Sequence, residues 1–120
     1  MPVPSHLKKK IKAYHFGLWA ETLAVLYYLL KGYVPIARRY KTKMGEVDLI
    51  VASGKRIIFV EVKARRSNNG MFPLHPKQLQ RIQHAAMLFV AKHSRFANVE
   101  QSVDLLLVKP WGWPQRIKNI

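Results

Sequence analysis

The amino-acid sequence predicts an α/β fold in which a mixed β-sheet is flanked by helices. Three observations predict it: two segments with apolar residues at helical spacing, several apolar segments typical of strands, and a tight turn between two of those strands. The predicted order is helix, three strands, helix, and one or two strands, αβββαβ(β). A chain of 120 residues suffices for one modest core, so we expect a single domain.

The first helix is predicted over residues 15–31, where four apolar residues recur at helical spacing and Gly32 is placed to cap the C-terminus. Those four residues are Trp19, Leu23, Leu26 and Leu30. Before this helix, two prolines and a run of lysines predict a basic, flexible arm over residues 1–14. Residues 15–120 then form the domain.

Three strands are predicted to follow. Residues 33–40 are predicted to form an edge strand. Pro35 has no N–H group, so it cannot donate the hydrogen bond that a central strand would require of it. Residues 46–52 and 56–64 form the next two strands, and Ser53-Gly54-Lys55 between them predicts a hairpin turn.

The second half of the chain predicts a helix followed by a buried strand. The helix begins at Pro76, which suits a first helical turn, and extends to about Ser94. The dense apolar run at residues 103–108 predicts the buried strand, and residues 115–120 are a candidate for a last short strand.

Charge and composition indicate the class of partner. Twenty-one Lys and Arg against six Asp and Glu give a net charge of +15, which favours a polyanion such as nucleic acid, although membrane surfaces and acidic proteins attract the same charge. The absence of cysteine excludes disulfides and thiolate metal sites. The apolar run at residues 23–30 is far shorter than the roughly 20 residues that span a bilayer. We therefore expect no membrane partner and a cytoplasmic location.

Half of the acidic residues, Glu46, Asp48 and Glu61, lie within sixteen positions of the predicted hairpin. Side chains alternate along a strand, so Glu46 and Asp48 share one face of their strand with Ile50, and Glu61 and Lys63 share one face of theirs. If Gly54 and Lys55 form a two-residue type II′ turn, Asp48 lies opposite Glu61, and Glu46 lies opposite Lys63.

Two adjacent carboxylates repel each other, and a divalent cation between them removes that repulsion. Mg²⁺ prefers oxygen ligands, and it can polarise a phosphoryl group and lower the pKa of a water molecule. Lys63 would then stabilise the charge that develops on phosphorus or orient the attacking water. The same residues also allow a structural interpretation, in which Glu46 and Lys63 are an ordinary cross-strand ion pair.

The hairpin also carries a family resemblance. Gly45-Glu46-Val47-Asp48-Leu49-Ile50, followed by Phe59-Val60-Glu61-Val62-Lys63-Ala64-Arg65, resembles the YraN-like family of bacterial proteins. That family is similar to the restriction-endonuclease-like, PD-(D/E)xK superfamily and related to archaeal Holliday junction resolvases. The resemblance runs from about Gly17 to the C-terminus, and Gly17-Leu18-Trp19-Ala20-Glu21 resembles the family's opening helix.

The resemblance implies a restriction-endonuclease-like fold and a site that binds Mg²⁺ or Mn²⁺. It assigns metal binding to Asp48 and Glu61 and catalysis to these two residues with Lys63, and Glu21 matches a helix glutamate that often completes such sites. Glu46 is a further candidate ligand. Candidate nucleic-acid contacts are Arg38, Arg39, Lys41, Lys43, Arg65, Arg66, Lys77, Gln78 and Arg81.

The leading hypothesis is therefore a Mg²⁺-dependent endonuclease acting on DNA rather than RNA, with branched or single-stranded DNA as candidate substrates. One alternative is a nucleic-acid-binding module on an inactive nuclease scaffold. Another is a protein-binding homodimer that works through Trp111 and the first helix.

Overall fold

The computed structural model describes residues 4–64, 74–118 and 120, and within the first helix the side chains of residues 11–15 are left out. It confirms the predicted mixed α/β fold. The elements are α1 (Ser5–Leu30), β1 (Val34–Lys41), β2 (Glu46–Ala52), β3 (Arg56–Ala64), α2 (Pro76–Lys92), a 3₁₀ turn (Ser94–Phe96), β4 (Glu100–Val108) and β5 (Gln115–Ile117).

The five strands form one sheet in the order β1-β2-β3-β4-β5. Neighbours are antiparallel except β3 and β4, which are parallel. A parallel pair needs a crossover connection, and α2 lies in the connection between these two strands. The sheet is therefore mixed, as the sequence predicts.

The two long helices pack on opposite faces of the sheet. On one face α1 buries Ala20, Ala24, Tyr27 and Tyr28 against residues such as Leu49 and Val60. On the other, α2 buries Ile82, Ala85, Ala86 and Phe89 against residues such as Ile50 and Phe59. A sheet covered on both faces explains the continuous apolar runs Ile57–Val60 in β3 and Leu105–Val108 in β4.

Helix α1 begins at Ser5 and not at residue 15 as predicted, so residues 5–14 of the expected basic arm are helical. The helix begins at Ser5 with Pro4 as its N-cap residue, a position where a proline removes no helical hydrogen bond. Lysine is a good helix former, so the basic run extends the helix. None of the described helices is long and apolar enough to cross a membrane.

Gly32 ends α1 as predicted. Its φ of +91° suits glycine, its N–H donates to the Leu29 carbonyl at 3.0 Å, and the Tyr33 N–H donates to Tyr28 at 2.9 Å. This pair of hydrogen bonds is a Schellman motif.

The hairpin of β2 and β3 has the predicted bounds and register. The Ser53 N–H donates to the Arg56 carbonyl at 2.8 Å, so Gly54 and Lys55 form the two-residue loop. The type II′ assignment is wrong, because Gly54 does not have the positive φ that such a turn requires at its first position. The paired residues run from Ala52–Ile57 to Leu49–Val60.

The remaining strands differ from prediction by a few residues. Strand β1 lies at the sheet edge, as Pro35 predicts, and its register shifts between Pro35 and Ala37. Strand β4 begins at Glu100 rather than residue 103, because the Glu100 N–H donates to Lys55 and its carboxylate pairs with Arg56 at 2.9 Å.

Candidate active site

The hairpin strands separate where the acidic residues lie. In an antiparallel ladder, every second residue pair is hydrogen-bonded, and Ser53–Arg56 is one such pair. If the ladder continued, Val47 and Val62 would be another, and the Val62 N–H would donate to the Val47 carbonyl. The Val62 N–H instead donates to Asp48 Oδ2 at 2.8 Å. The Asp48 carboxylate thus takes the place of a backbone acceptor, and β2 and β3 form a fork at this point.

The structure brings Asp48 and Glu61 together at this fork. Glu61 is 7% exposed. Burial, the hydrogen bond with Asp48 and the negative charge of Asp48 together raise the pKa of Glu61 to about 8, although the charge of Lys63 lowers it. In the absence of metal, the carboxyl group of Glu61 therefore holds its proton at neutral pH.

Lys63 lies beside this pair, with its Nζ 3.8 Å from Glu61 Oε1. The alternative interpretation of Glu46 and Lys63 as a cross-strand ion pair does not hold: within the described parts of the chain, Lys63 pairs with Glu61 and Glu46 has no ion pair. The reason is the fork, which ends the ladder before these two residues meet. Glu46 is exposed and faces Lys41 of β1 instead.

Glu21 reaches the edge of the site but is held by arginines. Arg39 binds its carboxylate through Nε at 3.1 Å and Nη2 at 2.8 Å, and Arg38 lies 3.8 Å away. Glu21 and Asp48 line two adjoining clefts of about 250 and 270 Å³. Glu21 approaches from the α1 side of the sheet, whereas Glu61 follows Ile57 and Phe59, which pack under α2.

The described residues contain no group of three or more His, Asp or Glu side chains close enough to hold a metal ion. The structure thus assembles the Asp48–Glu61 pair but not the predicted set of four carboxylates. The two opposite approaches of Glu21 and Glu61 are the physical reason.

Asp48 departs from the strict alternation that the sequence predicts. It lines a cleft with Gly17 and Leu18 of α1, whereas Ile50 packs under α2, so the two do not share a face. On the β1 side, Arg39 lies between the pairs Arg38–Leu49 and Tyr40–Val47, and it has a φ of +52°. A non-glycine residue in this conformation is uncommon, and such strain clusters at functional sites.

Gly45 fixes the position of the β1–β2 turn against α2. A Cβ atom on Gly45 would lie 2.7 Å from the carbonyl carbon of Arg81 and closer still to its oxygen. Only glycine allows the backbone before Glu46 to approach the helix this closely.

We expect Gly45→Ala to destabilise the protein by about 1–3 kcal/mol, because either α2 or the β1–β2 turn must move to accept the methyl group. Urea unfolding measures the effect. Gly54→Ala is the matched control, since nothing lies within 4 Å of its Cβ position and its φ is not positive. Equal unfolding midpoints for the two variants would contradict the assigned role of Gly45.

The predicted nucleic-acid contacts fall into three groups. Arg38, Lys41, Lys43, Lys77 and Arg81 are exposed, and Lys41 lines a cleft with Asp48. Arg39 and Gln78 are engaged or half-buried, Arg39 in its ion pair with Glu21. Arg65 and Arg66 lie outside the described residues.

Some of the site has no signal in the sequence. Nothing in the chain predicts that the Val62 N–H binds Asp48 or that Arg39 takes a left-handed conformation. Sequence reasoning also did not single out Lys92, which lies four residues after Leu88 on α2 and lines a groove with it beside the β1–β2 turn.

Comparison with known proteins identifies the family. The model of the Uncharacterised protein family UPF0102 matches residues 20–108, a range that contains Glu21, Asp48, Glu61 and Lys63. The chain belongs to the UPF0102 family. The predicted resemblance to the YraN-like proteins is thereby confirmed.

Relatives within the UPF0102 family align with most of the chain. A UPF0102 protein of Parvibaculum lavamentivorans is 42% identical over 91% of this chain and 83% of its own length. A UPF0102 protein of Mesorhizobium japonicum is 38% identical over 90% of this chain and 87% of its own length. A UPF0102 protein of Rhodopseudomonas palustris is 36% identical over 97% of this chain and 90% of its own length.

The carboxylate pair of this UPF0102 protein predicts a pH-dependent stability. The pKa of Glu61 is about 8 in the fold, against an ordinary value of 4.5 for an exposed glutamate, so between these pH values the folded state holds a proton that the unfolded state has released. Folding stability without metal therefore falls as pH rises from 4.5 to 8, by up to about 1.4 kcal/mol per pH unit.

Urea unfolding of the wild type and Glu61→Gln at pH 5 and pH 8.5, in EDTA, measures this effect. The glutamine side chain stays neutral, so the variant lacks this component of the pH dependence. The same pH dependence in both proteins would contradict the raised pKa.

Proposed function

We propose that this protein is a metal-dependent endonuclease that hydrolyses phosphodiester bonds in DNA, with Mg²⁺ or Mn²⁺ as its cofactor. The observation that carries the proposal is the contact of Asp48 and Glu61 at the fork, with the Lys63 ammonium group 3.8 Å from Glu61. The net charge of +15 supports a polyanionic substrate.

The donor set fits a magnesium ion. Mg²⁺ in phosphate-processing sites is commonly held by one or two carboxylates, with the remaining positions left to water and substrate phosphate. Asp48 and Glu61 would hold it, because their carboxyl groups lie close enough to interact at the fork, and Glu61 would lose its proton on binding. When bound, the ion polarises the phosphoryl group and lowers the pKa of a water molecule.

The chain's own side chains have distinct roles in this proposal. The Val62 N–H fixes the orientation of the Asp48 carboxylate through a 2.8 Å hydrogen bond. Lys63 donates a hydrogen bond to a phosphate oxygen and stabilises the charge that develops there, an electrostatic contribution that is strong in a partly buried site. Exposed basic residues, Lys41 among them, hold the flanking phosphates.

The test is incubation of labelled branched, single-stranded and duplex DNA, and of RNA, with and without Mg²⁺ and Mn²⁺. We expect metal-dependent cleavage of DNA, with branched or single-stranded substrates preferred. The proposal fails if no substrate is cleaved in a metal-dependent way.

A second candidate is a nucleic-acid-binding module on an inactive scaffold. The observation that favours it is the pKa of Glu61, because a carboxyl group that is protonated at neutral pH is a poor metal ligand. Such a protein would bind nucleic acid with a steep salt dependence and no metal requirement.

A cytoplasmic location and a homodimer also remain proposals. Exposed apolar side chains on α1, Trp19, Leu26 and Leu30, and the exposed Trp111 support a contact between two copies. Light scattering of the purified protein measures the oligomeric state, and a monomer at micromolar concentration would contradict the dimer.

A further inference from the structure

A second basic region lies next to the fork. A groove of about 720 Å³ runs between the β1–β2 turn and the C-terminal half of α2. It is lined by Lys41, Thr42, Lys43, Met44, Leu88 and Lys92.

The groove is positively charged. Its three lysines are exposed, and no carboxylate belongs to its lining. Across the residues that the structure describes, none of the three forms an ion pair; the Glu46 opposite Lys41 is also exposed. Three like charges around one groove repel each other, so an anion bound there would be stabilised.

The turn that presents Lys43 and Met44 is held in one conformation. The Thr42 hydroxyl accepts the N–H of Met44 at 3.1 Å and of Gly45 at 3.0 Å, and Gly45 packs against the backbone of Arg81. A preorganised surface loses less conformational entropy on binding than a loose one.

Lys41 connects the groove to the carboxylate site. It lines the groove and also the cleft that contains Glu21, Glu46 and Asp48. A polyanion with a phosphate at Asp48 and Glu61 can therefore continue past Lys41 towards Lys43 and Lys92. This continuity favours nucleic acid over an anionic membrane surface or an acidic protein.

The apolar floor of the groove indicates the form of the nucleic acid. Met44 is 49% exposed and Leu88 37% exposed, although both are large apolar side chains. In a duplex the base faces are stacked inside and cannot contact them, whereas unpaired bases can. We infer that this groove binds an unpaired nucleic-acid strand that continues from the scissile phosphate, with Lys43 and Lys92 on the phosphates and Met44 and Leu88 against the bases.

The inference rests on the proposed function only in taking that strand as part of the substrate. The experiment measures binding without cleavage, so a failure of the groove assignment can be distinguished from a failure of the nuclease proposal. Fluorescence anisotropy measures binding of a labelled 15-nucleotide DNA strand, and of the blunt duplex of the same sequence, in EDTA, where metal-dependent hydrolysis cannot occur. The proteins compared are the wild type, Lys92→Ala, Met44→Ser and, as a matched charge control, Lys55→Ala in the β2–β3 turn.

We expect Lys92→Ala to weaken single-strand binding several-fold and to reduce the salt slope by about 0.7, the value for one phosphate contact on a single strand. Met44→Ser should weaken single-strand binding and leave duplex binding unchanged, while Lys55→Ala should have a smaller effect than Lys92→Ala. Because Lys92 also lies in the last turn of α2, where a cation stabilises the helix, thermal unfolding of each variant accompanies the measurement.

Equal effects of Lys92→Ala and Lys55→Ala would overturn the groove assignment. Equal effects of Met44→Ser on single strand and duplex would overturn the unpaired-strand assignment. Lys92-dependent binding to phosphatidylserine vesicles, without such dependence for DNA, would overturn nucleic acid as the occupant. A failed cleavage assay with these binding results intact would reject only the nuclease proposal.

Discussion

We expect Asp48→Asn to reduce metal-dependent DNA cleavage by on the order of 10³-fold or more, because several kcal/mol of transition-state stabilisation depend on the metal site. The substitution removes one negative charge of the carboxylate pair. It keeps an oxygen that can accept the 2.8 Å hydrogen bond from the Val62 N–H, so the fork should persist. Initial rates on the best DNA substrate, at saturating Mg²⁺, measure the loss.

Two further variants make this result specific. Asp48→Ala also removes the hydrogen-bond acceptor and should lose activity and some stability, whereas Asp48→Asn should unfold near the wild-type temperature. Glu46→Gln removes a nearby exposed carboxylate outside the pair and should retain most activity. Full activity in Asp48→Asn would reject the assigned role of Asp48.

The second large effect concerns a buried ion pair between β4 and β5, on the face of the sheet that α1 covers. Asp104 of β4 is completely buried; its Oδ2 accepts hydrogen bonds from Arg116 Nε at 2.6 Å and from the Tyr28 hydroxyl at 3.1 Å. Burial and the Asp104 charge raise the pKa of Tyr28, so its hydroxyl remains a donor. This cluster joins α1, β4 and β5.

We expect Asp104→Ala to destabilise the protein by about 3–5 kcal/mol, because it leaves the largely buried Arg116 guanidinium without its anion. For a domain of this size the melting temperature should fall by roughly 10–20 °C. Differential scanning calorimetry measures both quantities.

The double variant Asp104→Ala with Arg116→Met is the control, since it removes both charges. It should be more stable than the sum of the two single variants predicts, as residues in one ion pair are coupled. Additive losses would show that the pair is not the origin of the effect.

The sequence predicted the hairpin well, for a physical reason. A two-residue loop and a side-chain period of two together determine the register, so one turn is enough to predict the pairs from Ala52–Ile57 to Leu49–Val60, next to Asp48 and Glu61. The spacing of apolar residues along the helices and strands is also a local pattern, and it predicted the type of each element. The class of fold followed from their order.

Other parts of the site depend on tertiary contacts that no local pattern records. The fork arises because the Asp48 side chain captures the Val62 N–H, and that capture altered the side of the sheet that Asp48 faces. Glu21 was predicted as a metal ligand, but its carboxylate is bound by Arg39, whose backbone has a left-handed φ of +52°. The early start of α1 shows that helix propensity outweighed charge repulsion along the lysine run.

The most direct test of the central claim is calorimetric titration of the metal-free protein with Mn²⁺ and Mg²⁺, for the wild type, Asp48→Asn and Glu61→Ala. We predict saturable uptake by the wild type with release of protons, because Glu61 must lose its proton to bind the ion, and loss of that uptake in both variants. Absence of uptake by the wild type, or equal uptake by all three proteins, would contradict a metal site at Asp48 and Glu61.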